Sequence, residues 1–245
     1  MRHNILMPRI IKEFFNRLLA FPSRVRTTLT AIFTSPAQTI ERMDYNEYWE
    51  QKLEFGFSDR YPSFSELIED GSTVLDIGCG NGATLKYLTE HNHIIGEGID
   101  ISAAAVNKAL ERGFSAKVAD AASSDFKIEK VYDYIIISEV LEHIPNPEDL
   151  IEKVKNRFRR GLLLSIPNTG HYTHRLRLLF GRFPVQWVYH PGEHLRFWTL
   201  TDFKLWLSAR GYKVASMKAT SGLSPLCNFW PEMFADSIVF LVKAS

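Results

Sequence analysis

From about residue 73 onward the chain alternates between short apolar runs and stretches whose apolar residues recur at helical spacing. The strand-like runs fall at 73–77, 94–99, 116–119, 132–137, 161–166, 212–219 and 237–242. Between them, 82–90, 103–112, 147–158 and 200–210 carry apolar residues three and four apart, the period of a helix that buries one face. Ser102 reads as the N-cap of the second of these helices and Gly113 as the residue that ends it. Thr199 to Asp202 has the pattern of a capping box, and Gly211 closes the helix after it. Apolar strands alternating with helices imply an α/β sheet that is mostly parallel and covered on both faces.

The first 70 residues have a different pattern. Ile10, Ile11, Phe14, Phe15, Leu18 and Leu19 form one apolar helix face, which Pro22 closes. A second helical stretch is expected from Val25 to Phe33, before Ser35-Pro36 breaks the chain. Tyr45, Tyr48, Trp49 and Phe55 in the lead-in (46–70) read as packing residues. Charge separates this part from the rest. Residues 1–43 hold seven basic side chains (Arg2, Arg9, Lys12, Arg17, Arg24, Arg26, Arg42) against Glu13 and Glu41, an excess of five, whereas the remainder has an excess of four acids. We therefore expect a basic amphipathic arm over 1–45 and a second unit over 46–245. The net charge of +1 argues against nucleic acid as a partner. An amphipathic basic arm instead makes residues 1–43 a candidate for peripheral contact with an anionic membrane, or for packing on the core or a second subunit. Two distant cysteines, Cys79 and Cys227, form neither a disulfide framework nor a zinc pattern. No apolar run approaches a membrane span or a signal-peptide core, so a cytoplasmic location, at most peripheral to the inner face of the membrane, is the expectation.

The chemistry concentrates around Val74-Leu75-Asp76-Ile77-Gly78-Cys79-Gly80-Asn81-Gly82. This is a buried strand, a glycine turn and the start of a helix, an arrangement that lets backbone approach a ligand closely. Gly78-x-Gly80-x-x-Ala83 also satisfies the dinucleotide pattern, with Asp100 at the distance of a ribose ligand, so the glycines alone do not choose a cofactor. Asp76 favours a cationic one: a carboxylate at the strand end repels a pyrophosphate and attracts an ammonium or sulfonium. Ile99-Asp100 ends the second strand, where a carboxylate can take both ribose hydroxyls. Val118-Ala119-Asp120 ends the third, where one can accept from an adenine amine. All lie at the carboxyl ends of strands, where open α/β sheets bind ligands.

These residues resemble the core of the class I S-adenosylmethionine-dependent methyltransferases over 73–140. Four further segments are similar to the methionine-biosynthesis family MetW: Ser165 to His171, Arg175 to Val185, His194 to Phe203, and Trp230 to Ala235. Together the resemblance covers about 72–243. It implies a Rossmann-like, doubly wound, mostly parallel seven-stranded sheet with the last strand antiparallel, preceded by the helical arm. It also implies S-adenosyl-L-methionine as cofactor, held by Asp76, Gly78, Cys79, Gly80, Asp100, Ile101, Asp120, Ala121 and Ser138. Ser138-Glu139-Val140-Leu141-Glu142-His143 departs from MetW and is similar to small-molecule methyltransferases, so a MetW-like enzyme acting on a small-molecule or glycan-type acceptor is expected. MetW-type proteins are implicated as partners of homoserine acyltransferases, and an accessory protein that binds and activates such an enzyme is the alternative.

In quinone-pathway and RNA-end methyltransferases an E-x-x-E-H run like Glu139–Glu142–His143 can hold a divalent metal. Two carboxylates and one imidazole leave a magnesium shell incomplete, so no metal is expected here. The connection over about 168–198 is long for a compact domain and is expected to cap the acceptor site. It supplies Asn168, His171, Tyr172, Arg175, Trp187, Tyr189, His190, His194 and Arg196, with His143, His171 and His194 as candidate catalytic residues. Arg175, Arg177 and Arg182 suit an anionic substrate equally well as a solvated helix face.

Overall fold

A computed structural model describes residues 23–35, 43–52, 58–186 and 192–244. Seven strands form one sheet: β1 (Thr73–Ile77), β2 (Ile95–Asp100), β3 (Ser115–Val118), β4 (Tyr132–Ser138), β5 (Phe158–Pro167), β6 (Tyr212–Gly222) and β7 (Ala235–Ala244). Their order is β3-β2-β1-β4-β5-β7-β6. The strands from β3 to β5 pair in parallel, and β7 runs antiparallel to both β5 and β6. The expected sheet, with its antiparallel last strand, is the one observed.

Strand alternation sorts the core into two layers. Leu75, Ile77, Ile135, Ile137, Leu162, Leu164 and Phe240 face one side, against Leu150, Ile151 and Val154 of a helix and Leu200, Phe203 and Leu207 of another. Val74, Tyr134, Ile136, Leu163 and Val239 face the other, against Phe64, Leu85 and Leu88. In chain order the helices are α1 (Ser23–Phe33), α2 (Tyr45–Gln51), α3 (Arg60–Ser65), α4 (Ala83–Asn92), α5 (Ala103–Glu111), α6 (Pro147–Val154), α7 (Tyr172–Leu179), α8 (Leu200–Ala209), α9 (Leu226–Phe229) and α10 (Pro231–Phe234). Ser102 caps α5 by accepting from the amide of Ala105 at 3.2 Å. Thr199 caps α8, accepting from the amide of Asp202 at 3.1 Å while donating to its carboxylate at 2.7 Å. α6 stops four residues earlier than its apolar pattern suggests, because Phe158 pairs with Tyr132 and begins β5.

Two regions add detail that the sequence pattern left open. The connection after β5 contains a helix of its own, α7, whose start is buried through Thr173 and whose far side is exposed through Leu178 and Leu179. The described part of the arm does not stand apart from the second unit. Thr28 Oγ1 lies 2.8 Å from the Tyr172 hydroxyl. Buried Arg177 donates to the carbonyls of Ala31, Ile32 and Thr34 at 2.9–3.0 Å, satisfying the open carboxyl end of α1. The expected helix over 10–19, its Pro22 stop and Phe55 lie outside the described residues. No helix among the described residues is long and apolar enough to cross a membrane.

Candidate cofactor and acceptor site

The turn after β1 needs its glycines. Gly78, Gly80 and Gly82 have φ of +80°, +53° and +76°, where a side chain strains the backbone. Contacts reinforce this: a Cβ at Gly78 would fall 2.3 Å from Val140 Cγ2, and one at Gly80 2.5 Å from the Trp49 ring. The amides of Gly78 and Cys79 both donate to the Ile99 carbonyl at 2.7 and 3.0 Å. Asp100, at the end of β2, accepts from the Gly80 amide at 2.8 Å through one oxygen and from the Ser102 amide at 2.9 Å through the other. Loop and carboxylate are thus fixed to one another.

A cavity of about 530 Å³ opens at the carboxyl ends of β1, β2, β4 and β5. Gly78, Cys79, Gly80, Asp100, Ile101, Asp120, Ala121, Ser138, His143 and His194 all reach its wall. Among the described residues its acids are Asp100, Asp120, Glu139 and Glu142, the last shifted toward its neutral form by burial, and its one cation is Arg60, which itself lies 3.7 Å from Glu139. A cationic ligand suits this wall and a pyrophosphate does not. The glycine cradle and the ordered Asp100 carboxylate beside it fit the amino-acid and ribose parts of S-adenosylmethionine.

Two expected site residues are placed differently. Asp76 does not line the cavity. It is buried behind the loop with Oδ1 unpartnered among the described residues, and burial, with Asp100 adding to it, pushes its carboxyl up to about 7. Its carboxyl stands behind the loop and off the cavity wall. His171 is buried at the start of α7, with Nδ1 2.8 Å from Thr173 Oγ1 and 3.2 Å from Asp236. It faces the packing of the cap, away from the cavity wall. Asn168 likewise ties the chain together, donating to the Ala235 carbonyl at 2.8 Å and accepting from the Gly170 amide at 2.9 Å. Within 168–198, the described residues on the wall are Gln186 and His194. Trp187, Tyr189 and His190 lie outside the described residues.

The wall opposite the sheet comes instead from the lead-in. Tyr45, Tyr48 and Trp49 of α2 line the cavity, with Arg60 and Tyr61 of α3. α2 is held from both ends. Lys108 of α5 donates to the carbonyls of Trp49 and of Lys52, the latter at 2.6 Å. At the other end Glu193 accepts from the Met43 amide at 2.8 Å and from the Tyr45 hydroxyl at 3.0 Å. Sequence patterning assigned Tyr45, Tyr48 and Trp49 to packing; a seven-residue helix carries no periodic signal that distinguishes a pocket wall from a core contact.

The far end of the cavity is built on the chain after β4. Glu139 has φ +54°, a strained value for a residue with a side chain. Its Oε1 accepts from Ser165 and Ser237 hydroxyls, both at 3.0 Å. A 3₁₀ turn (Leu141–His143) comes next. Glu142 is fully buried with neither carboxylate oxygen hydrogen-bonded among the described residues, and burial together with Glu139 pushes its pKa well up. His143 donates from Nδ1 to the Glu193 carbonyl at 3.0 Å, and His194 from Nδ1 to Gln186 Oε1 at 2.8 Å. The two rings meet edge to face at 4.7 Å. Burial lowers both imidazole pKa values, that of His194 to about 4, so both are neutral at pH 7. One ligand atom each from Glu142, His143 and His194 comes within 4.8 Å of the others. The structure puts His194 in the place the sequence gave to Glu139, so the set still holds three donors, too few to complete a magnesium shell, and burial shifts the Glu142 carboxyl toward its neutral form.

The model of one protein family, methionine biosynthesis protein MetW, matches residues 59–242. The chain belongs to the MetW family. MetW-family membership accords with the relatives. An (S)-tetrahydroprotoberberine N-methyltransferase of Eschscholzia californica is 30% identical over 112 residues, 43% of this chain and 32% of that protein. A ubiquinone biosynthesis O-methyltransferase of Glaesserella parasuis is 33% identical over 156 residues, 55% of this chain and 66% of that protein. A bifunctional methionine biosynthesis protein MetXA/MetW of Rhodopirellula baltica is 27% identical over 164 residues, 58% of this chain and 25% of that protein. The chain spans about a third of the length of the first of these curated relatives. The MetW-family fold is that of class I S-adenosylmethionine-dependent methyltransferases. It superposes on such an enzyme from Mesorhizobium loti with a TM-score of 0.55 at 13% identity, covering 76% of this chain and 98% of that one. It superposes on a Haemonchus contortus phosphoethanolamine N-methyltransferase in complex with S-adenosyl-L-methionine with a TM-score of 0.56 at 14% identity, covering 76% of this chain and 53% of that one.

Proposed function

We propose that this MetW-family chain is a methyltransferase that uses S-adenosylmethionine and passes the methyl group to a small-molecule acceptor. One observation carries the reading: a cavity at the strand ends, cradled by Gly78 and Gly80, has Asp100, Asp120 and Glu139 on its wall and, among the described residues, one arginine. S-adenosylmethionine supplies an electrophilic methyl on a sulfonium. Asp100 takes the ribose hydroxyls, with both its oxygens pre-aimed by backbone amides. Asp120, Ile101 and Ala121 bracket the adenine, and Gly78, Cys79, Gly80 and Ser138 form the floor. Asp76 acts through the loop it supports, as a positioning residue. Alignment and exclusion of water account for most of the acceleration such a transfer needs. Tyr45, Tyr48 and Trp49 close the cavity over the reacting centre.

The acceptor enters at the end lined by Glu142, His143 and His194. His143 is the base where the acceptor loses a proton. Its Nδ1–H is committed to the Glu193 carbonyl, which leaves the lone pair on Nε2. His171 serves the packing of the cap. Purified protein with labelled S-adenosylmethionine and a panel of phenols, amines and sugars tests the proposal. Formation of S-adenosylhomocysteine with one class of acceptor is the expected outcome; no binding of the cofactor by calorimetry rejects it. The fused MetXA/MetW relative keeps an accessory role in view. Capture of an acyltransferase, with no S-adenosylhomocysteine formed from any acceptor, would favour that role.

A further inference from the structure

α7 and the chain just after it expose large apolar side chains to solvent. Leu179 is 75% exposed and Phe183 64%, and Leu178 and Phe180 are more than half exposed. These are neighbours on one surface: the Phe180 ring lies 5.6 Å from that of Phe33 on α1, and the Phe183 ring 5.6 Å from that of Phe197. Apolar residues exposed singly are ordinary, but a contiguous group of them marks an interaction surface.

Charge identifies the partner. The two stretches that build this face, 23–35 and 171–186, contain Arg24, Arg26, Arg175, Arg177 and Arg182 and not one Asp or Glu. Arg26 and Arg175 are exposed. Arg177 and Arg182 are turned inward to the carbonyls at the end of α1, where they fix the two helices as one layer. The chain outside 1–43 has an excess of acids, so the basic character of these two stretches is a local feature, with Asp236 standing only at the head of α7 beside His171. We propose that the face formed by α1, α7 and residues 180–183 docks on an anionic lipid surface, with Leu179, Phe180 and Phe183 entering the headgroup region and Arg26 and Arg175 meeting lipid phosphates. Apolar insertion combined with attraction between arginines and anionic lipid is the pairing that holds interfacial helices. This moves the membrane contact expected of residues 1–43 onto the folded domain, and it holds whether or not the methyltransferase reading does.

Co-sedimentation of the full chain with vesicles tests it. The protein should sediment with phosphatidylcholine–phosphatidylglycerol vesicles about tenfold more than with phosphatidylcholine alone, and should release at high salt. The double variant Leu179→Glu/Phe183→Glu should lose at least about tenfold of that binding while keeping its melting temperature, since both side chains are exposed. Phe14→Glu/Phe15→Glu separates the arm from this face and should retain most of the binding. Equal sedimentation of wild type and Leu179→Glu/Phe183→Glu overturns the proposal, as does loss confined to Phe14→Glu/Phe15→Glu. Concentration-dependent dimerisation abolished by Leu179→Glu/Phe183→Glu, without vesicle binding by wild type, would assign the face to a second copy of the chain and overturn it equally.

Discussion

Asp100 and Asp76 are both buried acids at the carboxyl side of their strands, and substitution of each tests a different role. Asp100 holds the loop and faces the cavity, so Asp100→Ala should weaken S-adenosylmethionine binding by about 1.5–3 kcal/mol, measured by calorimetry. Asp76 has a carboxyl raised to about 7 by burial. For an acid whose folded pKa lies above its unfolded one, the folded state holds the extra proton. Stability therefore falls as pH rises from about 4 to about 7 and levels off above. Asp76→Asn removes that penalty, so the ligand-free variant should melt higher than wild type at pH 8 and at the same temperature near pH 4, while binding the cofactor less well. Thermal melts across pH check the first part. His143 sets a third expectation. Burial lowers its pKa, and catalysis needs the neutral ring, so the acid limb of kcat/KM should lie below the ordinary histidine value of about 6.5. His143→Asn should abolish that limb, whereas His171→Ala should reduce stability and leave the profile unmoved. Glycines and acids at strand ends were legible in the sequence because they are local signals. The burial of Asp76 and the retreat of His171 were not, because both depend on what packs behind them.

At the scale of elements, the seven strands and four main helices follow the apolar pattern closely; most bury a face, whereas β3, at the sheet edge, stays largely exposed. α2 and α7 were harder to read. α2 is short, and its aromatic residues look alike whether they meet a core or a cofactor. α7 sits in a stretch whose apolar residues, Leu178, Leu179 and Phe180, remain exposed, so no buried stripe marks it. Glu193 joins these elements: its carboxylate holds Met43 and Tyr45 while its carbonyl holds His143, a link across 150 residues that no local pattern encodes. Lys108 grips the other end of α2 through two carbonyls. Lys108→Met should free that end and cost about 1–2 kcal/mol of cofactor affinity, with little change in the melting temperature of the ligand-free protein. Calorimetry beside a thermal melt separates the two effects.

Across the whole molecule, the first three strands and their loops supply the cofactor candidates, and the chain after β4 supplies the acceptor end. The cluster of Glu142, His143 and His194 lies where the two halves meet. Its three donors leave a magnesium shell incomplete, so chelation should leave methyl transfer intact. Loss of turnover on treatment with EDTA, restored by Mg²⁺ or Mn²⁺, would show instead that a cation sits there. The basic arm and the acid excess beyond it were plain in the composition; the joining of α1 to α7 through Arg177 was not, because one arginine among three looks solvated until its partners are known. The threading of β7 between β5 and β6 bears on the order of synthesis. A ribosome releases β6 before the strand that attaches it to the sheet, so β6 and the open edge of β5 stay unpaired until β7 is made. The site waits with them, for Ser237 on β7 gives Glu139 one of its two hydroxyl partners. A nascent chain can shape the glycine cradle early, but the acceptor end takes its final form only when β7 has emerged.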